Sequence, residues 1–220
     1  MKALLLNGPG QPFSIETIED PTPQKGYAVA KVLACGSGLT IQHVKAGRIT
    51  VNYPRIIGHE IVGEIVEING QGGDLEIGTP VTAFFYLTCG HCRWCNIDRE
   101  TLCDNFRGYI GREIDGGYAE YIKLPIENFI KIPEEIDYKN NLLETAVVCD
   151  AVATPLKIIK KARISSFDKV GVIGAGGGLG IHMLKMLKLN HISAIGIDTK
   201  TEKFNTCNEN GAEFSVSPME

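Results

Sequence analysis

Through the first half of the chain, apolar and β-branched residues come in short runs cut by glycine, proline and polar residues. Such runs with turn residues between them predict strands rather than helices. Met1 to Leu6 is apolar and turns polar at Asn7, which predicts a first strand. Pro21, Pro23 and Gly26 interrupt the pattern before a run from Tyr27 to Ala34. Further strand-like runs follow at Ile61 to Ile68, Gly78 to Leu87 and Tyr118 to Leu124, with turns at 70–73 and at Asp115-Gly116-Gly117. Many short strands with glycine turns predict a β-barrel or sandwich.

The pattern changes near Tyr138. Residues 142–162 read as helical, with Pro155 as an expected break. Lys169 to Ile173 is a short apolar strand, followed by Gly174-Ala175-Gly176-Gly177-Gly178-Leu179-Gly180. Leu179, Met183 and Leu187 then recur at helical spacing, with Leu184 beside them. A second strand, Ile192 to Ile197, ends at Asp198; 201–210 predicts a helix stopped by Gly211, and Phe214 to Val216 opens a third strand.

Strand, glycine loop, helix, strand, acid is the order of a dinucleotide-binding βαβ unit. Glycines let the backbone approach a pyrophosphate, whose charge the helix N-terminus favours. The loop is one residue longer than G-x-G-x-x-G. Its candidate cofactor contacts are Gly174, Gly176, Gly177, Gly178, Leu179 and Gly180, with Lys203 downstream. Asp198 stands where an acid holds the ribose hydroxyls. Its carboxylate would repel a 2′-phosphate, so NAD is expected over NADP, an inference that nearby Lys200 weakens.

Four cysteines, Cys89, Cys92, Cys95 and Cys103, fall within one loop. C-x-x-C spacing lets a tight turn present two thiolates to one tetrahedral Zn²⁺, and four thiolates close the site. A closed site is structural, so chemistry must lie elsewhere. Paired disulfides are the competing reading; they suit small secreted chains, whereas the apolar start here is too short for a secretory signal.

Seven cysteines, four of them assigned to zinc, fit a reducing cytoplasm. The formal net charge of −4 comes without a basic block, so no nucleic acid or anionic membrane is expected as a partner. The longest apolar run, Val170 to Ile181, falls short of the roughly 18 apolar residues that span a bilayer.

The cysteine spacing resembles the structural zinc lobe of the zinc-dependent medium-chain alcohol dehydrogenases. Three further segments carry the same resemblance. Cys35-Gly36-Ser37 is similar to the motif holding the family's first catalytic zinc ligand, Gly58-His59-Glu60 to the second-ligand motif, and Asp115-Gly116-Gly117-Tyr118-Ala119-Glu120-Tyr121 to a segment that supports the register without chemistry. The resemblance implies a GroES-like β-barrel catalytic domain over 1–150, then the first half of a Rossmann doubly wound parallel sheet over 151–220. It implies Cys35 and His59 on a catalytic zinc, Ser37 passing the alcohol proton, and Glu60 just behind the metal.

The family's third ligand opens a helix in the pattern ligand-x-x-x-Thr. Four residues before Thr154 this is Asp150, although many relatives carry cysteine and Cys149 is adjacent. The segment around Asp150 resembles the Asp-Ala-Val-x-Thr-Pro segment of 6-hydroxycyclohex-1-ene-1-carbonyl-CoA dehydrogenases. Asp150 is the expected ligand and Cys149 the alternative. Thr40 stands where relatives often carry a proton-relay histidine, and Gly38 replaces an aspartate used behind the ligand histidine.

The implied activity is NAD-linked oxidation of a secondary or cyclic alcohol, with two zinc ions per chain, one structural and one catalytic. A zinc-independent quinone or enoyl reductase of the same superfamily and a non-catalytic zinc-stabilised module are the alternatives. A doubly wound sheet has about six strands, so the chain reads as the N-terminal part of a longer protein, whose full form is expected to be a homodimer or homotetramer.

Overall fold

The computed structural model describes residues 1–219. The chain divides into two compact units, residues 1–149 and the part from Asp150 onward.

The first unit is built on two antiparallel sheets. One has the order β2-β1-β4, formed by β1 (Lys2–Leu6), β2 (Phe13–Thr17) and β4 (Arg55–Ile56). The other runs β7-β3-β5-β6-β8, from β3 (Tyr27–Cys35), β5 (Ile61–Asn69), β6 (Pro80–Ala83), β7 (Tyr121–Pro125) and β8 (Phe129–Lys131). Residues just before β7 bond to β1, with Leu4 N–H donating to the Tyr118 carbonyl at 2.8 Å and Glu120 N–H to that of Lys2 at 3.0 Å. One stretch of chain thus belongs to both sheets.

Alternation fills the interior. Ala28, Ala30, Ile61, Ile65, Val81, Ile122 and Leu124 point into one cluster, closed by Ile110 and Phe129. Each large aliphatic side chain buried there contributes about 1.5–3 kcal/mol. The β3–β5 ladder pairs Cys35 with Ile61 and carries an irregularity between Val32 and Ala34. Bulges of this kind re-aim the residues that follow them, and Cys35 is the next residue of the strand.

Several elements depart from the reading of the sequence. The strand expected over 78–87 is ordered only as β6, and that over 118–124 begins at Tyr121. The short helix α1 (Leu39–Lys45) and the half-exposed β2 had no clear periodic signal. The helix expected over 142–162 is broken before Pro155, into α2 (Leu142–Ala146), a π-helical turn (Val148–Val152) and α3 (Ala153–Ala162). Pro155 is the third residue of α3, and the π-helical turn runs directly into that helix through Val152, whose backbone is already right-handed helical.

The second unit is a parallel three-stranded sheet of order β11-β10-β9, from β9 (Lys169–Ile173), β10 (Ser193–Ile197) and β11 (Phe214–Val216). The helix α4 (Gly178–Leu189) connects β9 to β10, and α5 (Phe204–Glu209) lies between β10 and β11. The buried face of α4 is Gly180, Leu184 and Leu187, while Leu179 is half exposed. The helix is therefore rotated by about one residue from the Leu179–Met183–Leu187 face, because Gly180 must pass directly over the loop backbone. No helix among the described residues is long and apolar enough to cross a membrane.

Candidate functional site

The four lobe cysteines converge. Their sulfurs all lie within 4.8 Å of one another. Cys92–Cys95 and Cys89–Cys103 are 3.5 Å apart, Cys92–Cys103 3.9 Å and Cys89–Cys95 4.0 Å. Tetrahedral zinc with bonds of about 2.3 Å sets its sulfurs about 3.8 Å apart, whereas a disulfide needs about 2.05 Å. The donor set fits zinc, and all four cysteines are free thiols.

The lobe's backbone also favours thiolates. The amide of His91 draws the Cys89 pKa down to about 6, and that of Cys95 lowers Cys92. Burial pushes Cys95 up to about 11. Two short 3₁₀ turns, Cys95–Ile97 and Glu100–Leu102, shape the lobe, and Trp94 Nε1 donates to Asp104 at 3.1 Å across it.

A second group forms where β3 ends and β5 begins. The Gly36 amide donates to the Glu60 carbonyl at 2.7 Å, tying the turn after Cys35 to the residue after His59. His59 and Glu60 are both buried, and the His59 ring lies 4.9 Å from that of Phe85. Burial, reinforced by the charge of Glu60, lifts the Cys35 pKa to about 12. A thiol so placed ionises only with a cation beside it. Thiolate and imidazole are donors zinc accepts, so these residues fit the expected metal.

Glycines make room for this group. Gly58 has φ of +99°, and a Cβ there would lie 2.8 Å from Cys35 Sγ and 2.7 Å from the Tyr118 ring. A Cβ on Gly117 would lie 3.0 Å from the same sulfur. Tyr118 is a participant that the sequence reading left as mere register. Its hydroxyl donates to the Gly36 carbonyl at 3.2 Å. Burial raises its pKa, a hydrogen bond from Ser37 opposes the rise, and the charges of Cys35 and Glu60 add to it. The available signal was a tyrosine directly after two glycines, which lets an aromatic ring close on a neighbouring backbone.

In the second unit, Asp150 lies in the π-helical turn next to Cys149, and Thr154 Oγ1 donates to Asp150 Oδ1 at 3.0 Å.

The glycine loop joins β9 to α4. The Gly174 and Ala175 amides donate to the Ile197 carbonyl, locking the loop over the end of β10. Gly180 packs so tightly on Gly174 and Ala175 that a Cβ would overlap them. At Gly176 a Cβ would lie 2.5 Å from Lys203 Cδ. The Gly176 amide donates to Asp198 Oδ2 at 2.9 Å, the Lys200 amide to Asp198 Oδ1 at 3.0 Å, and Lys203 Nζ to the Gly176 carbonyl at 2.8 Å. The Lys200 amide, followed by that of Gly176 and the Lys203 charge, holds Asp198 below the usual carboxylate range. A Cβ at Gly178, the first residue of α4, would meet nothing. That open space at a helix N-terminus fits a pyrophosphate.

A glycine-loop βαβ unit following a small two-sheet domain with buried cysteine and histidine is the plan of a medium-chain dehydrogenase. Residues 24–134 match the alcohol dehydrogenase GroES-like domain, and the chain belongs to that family. It is 31% identical over 204 residues to an acryloyl-coenzyme A reductase of Sulfurisphaera tokodaii, covering 92% of this chain and 60% of the relative. It is also 31% identical over 223 residues to an alcohol dehydrogenase of Geobacillus stearothermophilus, covering 100% of this chain and 64% of the relative. The structure of a cobalt- and zinc-bound thermostable alcohol dehydrogenase from Pyrobaculum aerophilum superposes with a TM-score of 0.89 at 28% identity, over 100% of this chain and 66% of that one. The chain thus spans about three-fifths of the length of these curated relatives.

Proposed function

We propose that the protein to which this chain belongs oxidises a secondary or cyclic alcohol, with zinc and NAD. The observation carrying this reading is the half-buried Cys35 beside the buried His59 and Glu60 at the β3–β5 junction, where room for the sulfur is kept by Gly58 and Gly117. Cys35 and His59, with Asp150 as the third donor, would hold the catalytic zinc, and the four lobe cysteines a structural one. When bound, zinc supplies Lewis acidity toward a substrate oxygen, and NAD accepts hydride.

The chain's own residues do the rest. Ser37 takes the alcohol proton. The glycine loop receives the pyrophosphate on the Gly178 end of α4. Asp198 holds the ribose hydroxyls and disfavours a 2′-phosphate. Lys203, whose Nζ donates to the Gly176 carbonyl, helps Asp198 hold the loop in place. NADH formation at 340 nm by the whole protein over a panel of secondary and cyclic alcohols tests the reading. Alcohol-dependent, chelator-sensitive reduction of NAD supports it; none with any alcohol overturns it.

The likeness to an acryloyl-coenzyme A reductase favours a second reading, reduction of an activated double bond by a protein of the same superfamily. Consumption of a reduced nicotinamide cofactor with acryloyl-CoA, insensitive to chelation, would select it.

A further inference from the structure

Beyond Ala83, β6 gives way to three consecutive aromatic residues, Phe84, Phe85 and Tyr86. The Phe84 N–H donates to the Asn128 backbone carbonyl at 2.8 Å. The side chain of Asn128, a residue only 2% exposed, then takes two carbonyls of this segment. Its Nδ2 donates to that of Phe84 at 2.6 Å and to that of Tyr86 at 2.9 Å. Carbonyls only accept, so both hydrogens of the amide nitrogen are used here. The carbonyl between them, on Phe85, accepts from the Ile110 N–H at 3.0 Å.

This contact bends the chain. Two oxygens bonded to one nitrogen at these distances lie at most about 5.5 Å apart, whereas alternate residues of a strand are about 6.8 Å apart. The segment is therefore drawn together at Phe85. In a regular strand, successive side chains point to opposite faces. Here the Phe85 ring centroid lies 6.4 Å from that of Phe84 and 4.7 Å from that of Tyr86, so the rings gather instead of alternating.

The middle ring carries the consequence. Phe85 lies 4.9 Å from the imidazole of the buried His59, tilted at 46°. An imidazole meets a metal in its ring plane, so a neighbour that fixes the plane also directs the bond.

We propose that Asn128 is a positioning residue for His59: by drawing 84–86 together it seats the Phe85 ring against the imidazole and sets the plane in which His59 meets the metal. This deepens the alcohol dehydrogenase reading and rests on it. Asn128 acts only through Phe85.

The test is Asn128→Leu in the whole protein, which keeps the branched shape of the side chain and removes both donors. The readout is the His59 imidazole resonance in histidine-labelled protein, assigned by its absence in His59→Gln. That resonance is expected to move, because the Phe85 ring current acts on it at 4.9 Å, while those of the other four histidines stay in place. Affinity for the readily chelated zinc should fall by about tenfold. The kcat/KM for the alcohol should also fall by about tenfold, with the KM for NAD unchanged. In a Phe85→Leu background Asn128→Leu should lower neither quantity further. Asn128→Ser, which keeps one donor, replaces Asn128→Leu if that variant does not fold, with a smaller displacement expected.

A lowered thermal midpoint with the His59 resonance unmoved would make Asn128 a structural staple alone and overturn the proposal. So would effects of the Asn128 and Phe85 substitutions that multiply. If the unsubstituted protein oxidises no alcohol, the functional reading fails by itself, and the His59 resonance still decides whether Asn128 seats this ring.

Discussion

The amide of Gly176 donates to the Asp198 carboxylate at 2.9 Å, so the acid expected to hold the cofactor ribose also braces the glycine loop. Asp198 therefore links loop geometry to cofactor choice. Asp198→Asn should raise the KM for NAD by about tenfold, on the order of 1.4 kcal/mol, and narrow the preference for NAD over NADP. Steady-state kinetics with both cofactors check this.

The same contacts give a pH dependence. The Asp198 pKa is depressed in the folded chain, first by the Lys200 amide, from an ordinary value near about 3.9. Its contribution to stability is present above that unfolded value and is lost as pH falls through the folded one. The difference in thermal midpoint between the parent and Asp198→Asn should be largest near neutral pH and close below about pH 4.

Removing the lobe zinc should unfold the loop and not merely silence it. The lobe has little core of its own: Cys95 and Cys103 are buried, while Ile97 and Leu102 are exposed. A structural zinc contributes on the order of several kcal/mol, and each lost kcal/mol lowers Tm by roughly 2–4 °C at this chain size. Cys103→Ala is therefore expected to release one zinc per chain and lower Tm by about 10 °C or more. Metal analysis and calorimetry read both.

Gly58 should tolerate no side chain. Its positive φ disfavours alanine, and a Cβ would press on both Cys35 Sγ and the Tyr118 ring. Gly58→Ala is predicted to cost about 2–3 kcal/mol in denaturant unfolding and to weaken metal retention.

The third ligand separates two neighbours. Asp150→Ala should remove one zinc per chain, whereas Cys149→Ser should leave the count unchanged. Loss with Cys149→Ser alone would assign the ligand to the thiol.

What the sequence made legible were features with local, repeated signals. The β-branched runs of β3 and β5, the glycine loop and the cysteine spacing each declare themselves within a few residues. β2 did not, because Phe13-Ser14-Ile15-Glu16-Thr17 lies half-exposed and lacks a clean alternation. The π winding at Val148–Val152 was not itself legible; only Pro155, just beyond it, marks the irregularity in the sequence. Tyr118 was missed for another reason: its partner Gly36 is 82 residues away, and only the pairing of 116–118 with 56–58 brings them together.

The most direct test of the account is zinc per chain in the whole protein, before and after mild chelation. The account predicts two ions, one lost readily from the site of Cys35 and His59 and one retained by the four lobe cysteines. A single ion that chelation hardly changes would leave only the lobe occupied and would contradict the catalytic assignment.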